Sequence, residues 1–359
     1  MTPISKPKIS PVKWVPTPVD TTGWPAPTSP NVSVIDIGAD APEDVVVDDR
    51  GRIWTGAIGG DVIAIDSGSG QWRVVANTGG RPLGLEAVGD TLLICDSERG
   101  LLQMDTLSGS IDVVLDQIDG VALTFCSNVV VTKRSAAERP RPRELYLTQS
   151  TTRFGYDHYK ADIFEHGAAG RLIRVALDED GGPSATHAEV VLEGLQFGNG
   201  VVAHAGRLVI AETGDCRIRT YDLATGTVDV LRAGLPGYPD NASLSPDGDH
   251  LWLAMAGLRS RPLELLAPHP RLRKLLWSFP ERLFPDPVAP LWVLKIHLPT
   301  GRVVADHRVA VEGFGQSTGV VEHDGRLWVA GIGSSVIASF DIDSVGETRG
   351  TGNPPRART

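Results

Sequence analysis

The sequence has little cysteine and no long apolar run. Cys95, Cys126 and Cys216 are the only cysteines in 359 residues, and no CxxC pair occurs, so neither a disulfide framework nor a thiolate zinc site is indicated. No stretch reaches the roughly 18 apolar residues of a membrane span. The first thirty residues lack a basic segment followed by an apolar one, which argues against a secretory signal. We therefore expect a cytoplasmic protein with three small, buried thiols.

Positive charge is also scarce. The chain has 34 Lys and Arg against 44 Asp and Glu, with a net charge of -10, and it would repel a phosphate backbone. No basic cluster with interleaved aromatic residues indicates a nucleic-acid partner. In contrast, 40 Gly and 26 Pro provide many turns and leave little room for long helices, which favours an all-β fold.

A unit of about 40 residues recurs six times. Each copy has a polar turn, a short apolar strand and a second strand that often ends in Asp, with further strand candidates before and after. This period is typical of a β-propeller blade with four strands, so we predict a six-bladed β-propeller. The early strand at residues 32–36 has no blade of its own and is expected to complete the last blade, which would leave no open edge. The paired strands are predicted at residues 53–55 with 62–66, 91–94 with 101–105, 144–147 with 171–175, 207–210 with 217–222, 250–253 with 291–295, and 326–329 with 336–341.

Two insertions interrupt the repeats. Residues 151–170 separate two strands of the third blade, and residues 257–288 form a Pro-rich, basic and amphipathic insertion in the fifth. The second is predicted to be a helical cap on the propeller; the alternative is contact with an anionic membrane surface. We assign residues 1–30 to an N-terminal extension, 31–344 to the propeller and 345–359, rich in Gly, Pro and Arg, to a disordered tail.

Oxygen-bearing side chains precede the inner strands of four blades. Because inner strands converge on the propeller axis, residues at matching positions on them come close together. Four such residues stand just before apolar runs: Glu43, Asn128, Asn199 and Asp240, the last of which is followed by Asn241. Two carboxylates with amide oxygens form a ligand set that suits Ca²⁺. Taken singly, Asn199 and Asp240 also fit ordinary turns, and only their shared position favours a metal site.

Several motifs resemble one known family. Segments 42–44, 80–85, 197–201, 211–213 and 235–241 are similar to those of the strictosidine-synthase-like branch of the gluconolactonase and paraoxonase (senescence marker protein) superfamily, nearest to the adipocyte plasma-membrane-associated protein group. The likeness covers residues 40 to 342. It implies a six-bladed propeller with an axial Ca²⁺ ion held by Glu43, Asn128, Asn199 and Asp240, with Asn241 as a further candidate.

In many members of this family the reaction is hydrolysis of lactones or aryl esters, and the resemblance implies the same class of substrate here. Asp240 is expected to act as both ligand and base. His158, Glu165 and His166, in the insertion of the third blade, are alternative bases because such groups can shuttle protons. Substrate contacts are expected from three further residues: Arg81, Tyr238 and Arg153.

The sequence departs from the family pattern at two points. The condensing enzyme of this family uses a glutamate just before the inner strand of its last blade, whereas residues 315–321 here contain none, with Glu322 the nearest. Val129 stands where many relatives carry Asp, which concerns the surroundings of the metal site. A calcium-dependent hydrolase is therefore the first hypothesis; a condensing biosynthetic enzyme and a non-catalytic propeller with structural calcium are the alternatives.

Overall fold

A computed structural model describes residues 6–132, 144–177, 183–280 and 289–342. Within these ranges the strands form six four-stranded antiparallel sheets and one small two-stranded sheet. The first strands of neighbouring sheets contact each other around a ring, so each sheet is one propeller blade with its first strand innermost. The predicted six-bladed β-propeller is confirmed.

The strands are numbered in chain order, and the blades follow the same order. Blade one comprises β2 (Val46–Val47), β3 (Arg52–Gly56), β4 (Asp61–Asp66) and β5 (Trp72–Asn77). Blade two comprises β6 (Pro82–Val88), β7 (Thr91–Asp96), β8 (Gly100–Asp105) and β9 (Ile111–Leu115). The small sheet, β10 (Gln117–Ile118) with β11 (Val121–Ala122), precedes blade three, which comprises β12 (Cys126–Val131), β13 (Glu144–Gln149), β14 (Gly170–Leu177) and β15 (Pro183–Leu195).

The remaining blades have the same order of strands. Blade four comprises β16 (Gly198–His204), β17 (Arg207–Glu212), β18 (Arg217–Asp222) and β19 (Val228–Arg232). Blade five comprises β20 (Gly237–Leu244), β21 (His250–Leu258), β22 (Leu291–His297) and β23 (Arg302–Val309). Blade six comprises β24 (Gln316–His323), β25 (Arg326–Ile332), β26 (Val336–Asp341) and the N-terminal β1 (Ser33–Asp36).

Strand β1 closes the ring. It pairs with β26 from Ser33 opposite Ser339 to Asp36 opposite Val336, as predicted from the unpaired early strand. The first and last segments of the propeller thus share one sheet. Closure leaves no unpaired strand between the first and last blades.

The Asp residues that end the third strands in three blades stabilise the following turns. Asp66 Oδ1 accepts a hydrogen bond from the backbone N of Ser69 at 2.7 Å, and Asp105 Oδ1 accepts one from the N of Ser108 at 2.7 Å. In blade four, Asp222 Oδ1 accepts from the N of Thr225 at 2.9 Å. A carboxylate that bonds its own backbone a few residues on fixes a tight turn, which explains why the repeat ends in Asp.

Both insertions fold over one end of the axis. The blade-three insertion contains a 3₁₀ turn (Tyr156–His158) and α1 (Tyr159–Glu165), and the blade-five insertion contains α2 (Arg261–Leu265) and α3 (Pro270–Trp277). The predicted helical insertion in blade five is confirmed as far as residue 280. Residues 281–288 and the predicted tail at 345–359 lie outside the described residues. In the described ranges no helix is long and apolar enough to cross a membrane.

The N-terminal extension joins the two insertions. The backbone N of Val12 donates to Glu165 O at 2.8 Å, and the N of Trp14 donates to Ala267 O at 3.3 Å. Ile9 is buried in a small cluster with Phe154, Ala161 and Trp277, which come from both insertions. We call residues 6–16 the strap, and the strap with the two insertions the cap. The cap is therefore built from three segments that are distant in sequence.

Candidate functional site at the propeller axis

The axial site is built on β-bulges at the start of the inner strands. In five blades the pairing of the inner strand with the second strand shifts at an equivalent point, such as between Cys126 and Asn128 or between Pro239 and Ala242. A bulge adds one residue and re-aims the side chains beside it. In these five blades two consecutive residues of the inner strand thereby reach the axis, and in blade one Glu43 and Asp44, just before β2, take the equivalent places. They form a first axial ring of Glu43, Leu83, Ser127, Asn199, Asp240 and Thr318, and a second axial ring of Asp44, Gly84, Asn128, Gly200, Asn241 and Gly319.

The second axial ring alternates glycine with polar residues, because adjacent blades approach too closely for six side chains. A Cβ atom on Gly84 would lie 2.5 Å from the Cα of Asn128, and one on Gly319 would lie 2.6 Å from the Cα of Asp44. Such distances are well inside van der Waals contact. Only three side chains, from blades one, three and five, therefore enter the centre at this level.

The prediction that Asn128 shares one register with Glu43, Asn199 and Asp240 is wrong. Val129 pairs with Leu147 and Val201 pairs with Ile210, at equivalent positions of the second strands. Asn128 precedes the first of these valines directly, whereas Gly200 stands between Asn199 and the second. Asn128 therefore belongs to the second ring. The sequence pattern misleads here because it does not show where the bulge lies.

The five predicted metal-binding residues nevertheless lie together, and hydrogen bonds join three of them directly. Asn241 Nδ2 donates to Glu43 Oε2 at 3.1 Å, and Asn128 Nδ2 donates to Asn241 Oδ1 at 3.0 Å. Asn199 Nδ2 donates to Thr213 Oγ1 at 3.3 Å, and Thr213 Oγ1 donates to the carbonyl oxygen of Pro239, the residue before Asp240. All five side chains are buried, with exposed fractions between 1% and 7%. The fold thus brings residues from blades one, three, four and five to one point on the axis.

Three buried carboxyl groups give this point its electrostatic character. Burial raises the pKa of Asp240 to about 8, and repulsion from Asp44 adds to the rise. The pKa of Glu43 is raised well above its usual range by burial and then by repulsion from Asp240 and Asp44. Burial also raises the pKa of Asp44 to about 7, against the hydrogen bond from the backbone N of Leu85. Ionised carboxylates here require a positive counter-charge.

The donor set fits a Ca²⁺ ion. Asp240 Oδ1 is a buried acceptor that receives no hydrogen bond from the described residues, and a buried polar atom without a partner calls for an ion or a water. The side chains around it offer carboxylate and amide oxygens, the ligands that Ca²⁺ prefers. No group of three or more His, Cys, Asp or Glu side chains suited to a metal occurs in the described part of the chain, so any ion here would depend on the amides.

Asp44 was missed by sequence reasoning. It lies in the second ring, where Asn128 Nδ2 is 3.4 Å from its Oδ2 and the backbone N of Leu85 donates to the same oxygen at 3.0 Å. Its position directly after Glu43 was the available signal. The Thr hydroxyls that fix the inner strands were missed as well. Thr148 Oγ1 donates to Asn199 O at 2.6 Å, and Thr213 Oγ1 donates to Pro239 O at 2.7 Å.

Two of the three alternative bases in the blade-three insertion hold the cap together. Glu165 is buried, pairs with Arg153 (Nη2 to Oε2, 3.0 Å) and accepts from the backbone N of Ser10 at 2.6 Å. The His166 ring stacks on Trp14 with centroids 4.0 Å apart, and its Nε2 lies 3.1 Å from Asp215 Oδ1. These contacts tie both residues to the cap.

The third alternative base and the predicted substrate residues are also placed by the fold. His158 is half-buried at the end of the 3₁₀ turn. Arg153 is the ion-pair partner of Glu165. Tyr238 Oη accepts from the backbone N of Ser260 at 3.0 Å, which fixes it against the blade-five insertion. Arg81 alone among the predicted substrate residues is buried and lacks an ion-pair partner within the described ranges.

Apolar rings cover the axis on the cap side. Leu83, Phe125 and Phe197 form a buried cluster with Tyr156, and the rings of Phe125 and Tyr156 are 5.6 Å apart. On the side of the two axial rings that faces away from the cap, a channel of about 800 Å³ runs between the inner strands. This channel ends at Asp44. The axial site therefore lies between an aromatic lid and an open channel.

Blade six provides no carboxylate at the axis. Thr318 Oγ1 donates to Glu43 O at 2.6 Å. Glu322 lies four residues further along the inner strand, where its Oε2 accepts from Ser245 Oγ at 2.7 Å and from Trp252 Nε1 at 2.5 Å. Glu322 is thus held between blades five and six by these two donors.

Fold and site together define the protein as a six-bladed β-propeller with a buried polar axis. Residues 139–224 match the strictosidine synthase family, and residues 31–65 match the N-terminal region of strictosidine-synthase-like proteins. Strictosidine synthase-like 6 from Arabidopsis thaliana is 30% identical over 243 residues, which cover 66% of this chain and 62% of the relative. The adipocyte plasma membrane-associated protein of Salmo salar is 26% identical over 328 residues, which cover 82% and 74% respectively.

These matches confirm the resemblance that the sequence motifs indicated. The chain spans less than two thirds of the length of the plant relative. Among solved structures, a gluconolactonase from Xanthomonas campestris is similar, with a TM-score of 0.59 and 14% identity over 95% of this chain and 98% of the other. At this level of identity the likeness shows the fold.

Proposed function

We propose that the protein is a calcium-dependent hydrolase of lactones or aryl esters. The observation that supports this most is the buried, all-oxygen group at the axis, in which Asp240 Oδ1 has no donor within the described residues. Glu43, Asn128, Asn199 and Asp240 would hold the ion, with Asn241 positioned to contribute. When bound, Ca²⁺ would polarise the ester carbonyl and stabilise the charge that develops on its oxygen.

In this proposal Asp240 activates the attacking water. The Asp240 carboxylate takes a proton from the water as the water oxygen bonds to the carbonyl carbon and the carbonyl electron pair moves onto its oxygen. When that pair returns, the bond to the leaving oxygen breaks, and the released alkoxide or phenoxide takes the proton from Asp240 to give the alcohol or phenol. One ester and one water thus give one carboxylic acid and one alcohol. Asp240 is favoured over Glu165 and His166 because those two side chains are engaged in cap contacts.

The relatives give limited support to this reaction. The Xanthomonas campestris neighbour is described as a gluconolactonase, which is consistent with lactone hydrolysis on this fold. The condensing reaction is the less favoured proposal, because Thr318 stands at the axis where a carboxylate would be needed and Glu322 is held by Ser245 and Trp252.

The test compares the wild type with Asp240→Asn, which keeps the shape of the side chain and removes its charge. We expect the wild type to bind Ca²⁺ by calorimetry and to hydrolyse members of a lactone and aryl-ester panel, with both properties lost in the variant. Asp229→Asn on the outer strand of blade four is the matched control, because Asp229 is exposed. If the calcium-loaded wild type turns over no member of the panel but gains thermal stability with Ca²⁺, the ion is structural and the hydrolase proposal fails.

A further inference from the structure

Arg81 is a buried cation that has no counter-ion in direct contact within the described parts of the chain. Only 3% of the residue is exposed, and its Nε and Nη1 atoms are buried without any hydrogen-bond acceptor among the described residues. No carboxylate of the described chain lies within ion-pair distance of its guanidinium. Burying a charged group without a partner is costly. A partner that does not belong to the chain is the simplest explanation.

The backbone of Arg81 is held firmly in place. Its N donates to Asp96 Oδ1 at 3.1 Å, and its carbonyl accepts from the N of Ser97 at 2.9 Å. A Cβ on the preceding Gly80 would lie 2.3 Å from the same Asp96 oxygen, so the chain passes close to that carboxylate. The main chain thus fixes where the side chain starts, and the guanidinium is presented from a rigid base.

The side chain reaches the lid over the axis. Its guanidinium lies 5.1 Å from the ring centre of Tyr156, and Nη2 is 3.4 Å from Tyr156 Oη. Tyr156 packs on Phe125, which in turn packs on Phe197. Leu83, two residues after Arg81, belongs to the same buried cluster as Phe125 and Phe197, and Tyr156 packs against that cluster. The Nε and Nη1 donors of Arg81, which have no acceptor among the described residues, therefore lie beside the aromatic lid that covers the axis.

We propose that Arg81 and Tyr156 form an oxyanion-binding site beneath the cap, which takes the negative oxygen of the tetrahedral species in ester hydrolysis. This inference rests on the proposed function and assigns a catalytic role to Arg81. Guanidinium N–H groups are strong donors to oxyanions, and the Nε and Nη1 donors of Arg81 are not used by any acceptor of the described residues. The donors of such a site have no acceptor in the resting protein and gain one only when negative charge develops on the substrate oxygen. They therefore stabilise the transition state more than the bound substrate.

The probe is a phosphonate monoester monoanion, phenyl methylphosphonate, a stable analogue of the tetrahedral species. Calorimetry with calcium-loaded protein compares wild type, Arg81→Met, Arg81→Lys and Tyr156→Phe. We expect the wild type to bind the probe, Arg81→Met to bind at least tenfold more weakly, and the other two variants to lie between. Arg73→Met is the control, because Arg73 is exposed on the outer strand of blade one and should leave binding unchanged.

Two further measurements separate this role from a structural one. In the hydrolysis assay, Arg81→Met should lower kcat by about 10²–10³-fold, the loss typical of one oxyanion donor, with little change in KM. The ligand-free, calcium-loaded Arg81→Met protein should melt at or above the temperature of the wild type, because an unpaired buried charge has been removed. A clear fall in melting temperature would instead identify Arg81 as a structural counter-charge to Glu43 and overturn the inference.

Failure of this inference and failure of the proposed function are distinguishable. If the wild type hydrolyses esters but Arg81→Met binds the probe and turns over equally well, only the oxyanion site is refuted. If the wild type binds the probe through Arg81 but hydrolyses nothing, the anion site stands and the hydrolase proposal fails. If the wild type does not bind the probe, the oxyanion site is refuted.

Discussion

The glycine positions of the second axial ring allow a direct test of how the site is built. Gly200 lies between Asn199 and the start of the apolar run in blade four. A Cβ atom on Gly200 would lie 2.7 Å from the backbone N of Ala242, 2.8 Å from the Cα of Asn241 and 2.8 Å from Asp240 O. All three atoms belong to the backbone of blade five. Gly200→Ala therefore pushes directly on the strand that carries two of the proposed calcium ligands.

The size of the effect can be worked from these distances. Ordinary van der Waals contact begins at about 3.4 Å, so the backbone N of Ala242 would have to move away from the new Cβ atom by about 0.7 Å in a close-packed interior that resists such shifts. Overpacking of this kind costs typically about 1–3 kcal/mol. The backbone of Gly200 does not lie in the left-handed region, so the loss would come from contact and not from backbone strain. We expect the free energy of unfolding to fall by about 2 kcal/mol.

The assay is equilibrium unfolding in urea, followed by a calcium titration of the folded variant. Gly68→Ala is the matched control, because Gly68 lies in an exposed turn and its nearest contact would be an ordinary 3.6 Å to Asp66 Oδ1. We expect weaker Ca²⁺ binding by Gly200→Ala as well, since Asp240 and Asn241 move with their strand. Equal stability of the two variants, within about 0.5 kcal/mol, would refute the idea that close approach of the blades fixes the ring.

Two other predictions concern the cap. Burial raises the pKa of Asp162 to about 6, above about 3.8 in the unfolded chain. Between these two pH values the folded protein keeps a proton on Asp162 that the unfolded chain has lost. The free energy of unfolding therefore falls as pH rises from about 4 to above 6. Asp162→Asn should remove this penalty, so that its gain over the wild type grows with pH to at most about 3 kcal/mol at pH 7.5 in urea unfolding; a pH-independent difference would contradict the assignment. Membrane contact through residues 257–288 stays a prediction, and sedimentation with anionic vesicles tests it. Leu275→Ser should weaken vesicle binding, because Leu275 is 58% exposed on the insertion. The control Val230→Ser, at a residue 53% exposed on blade four, should leave vesicle binding unchanged. Absence of vesicle binding by the wild type would remove the prediction.

Much of the fold could be predicted because it is encoded locally. Each blade repeats the same strand and turn pattern, and residues such as Asp66 and Asp105 fix their own turns through contacts three residues away. The spare strand at the N-terminus predicted how the ring closes, and the pairing of Ser33 with Ser339 confirms it. Short-range hydrogen bonding and strand alternation are visible in a single sequence.

The site was predicted only in part because its geometry depends on features that leave a weak trace in the sequence. Asn128 was assigned to the wrong register, and Asp44 was overlooked, because a bulge changes which side chain faces the axis without altering the strand pattern. Glu165 and His166 were candidates for catalysis by residue type alone. Their partners Ser10, Trp14 and Asp215 come from segments that no local pattern connects to them.

The sequence by itself therefore determined the number of blades, the closure of the ring and that Glu43, Asn128, Asn199, Asp240 and Asn241 come together, since these follow from periodicity and from the convergence of inner strands. The tertiary structure alone decided how those residues divide between two rings, why glycine alternates with them, and that Nε and Nη1 of Arg81 have no acceptor among the described residues. Those features arise from contacts between blades and between the cap and the axis, and such contacts join residues whose separation along the chain carries no information about their distance in space.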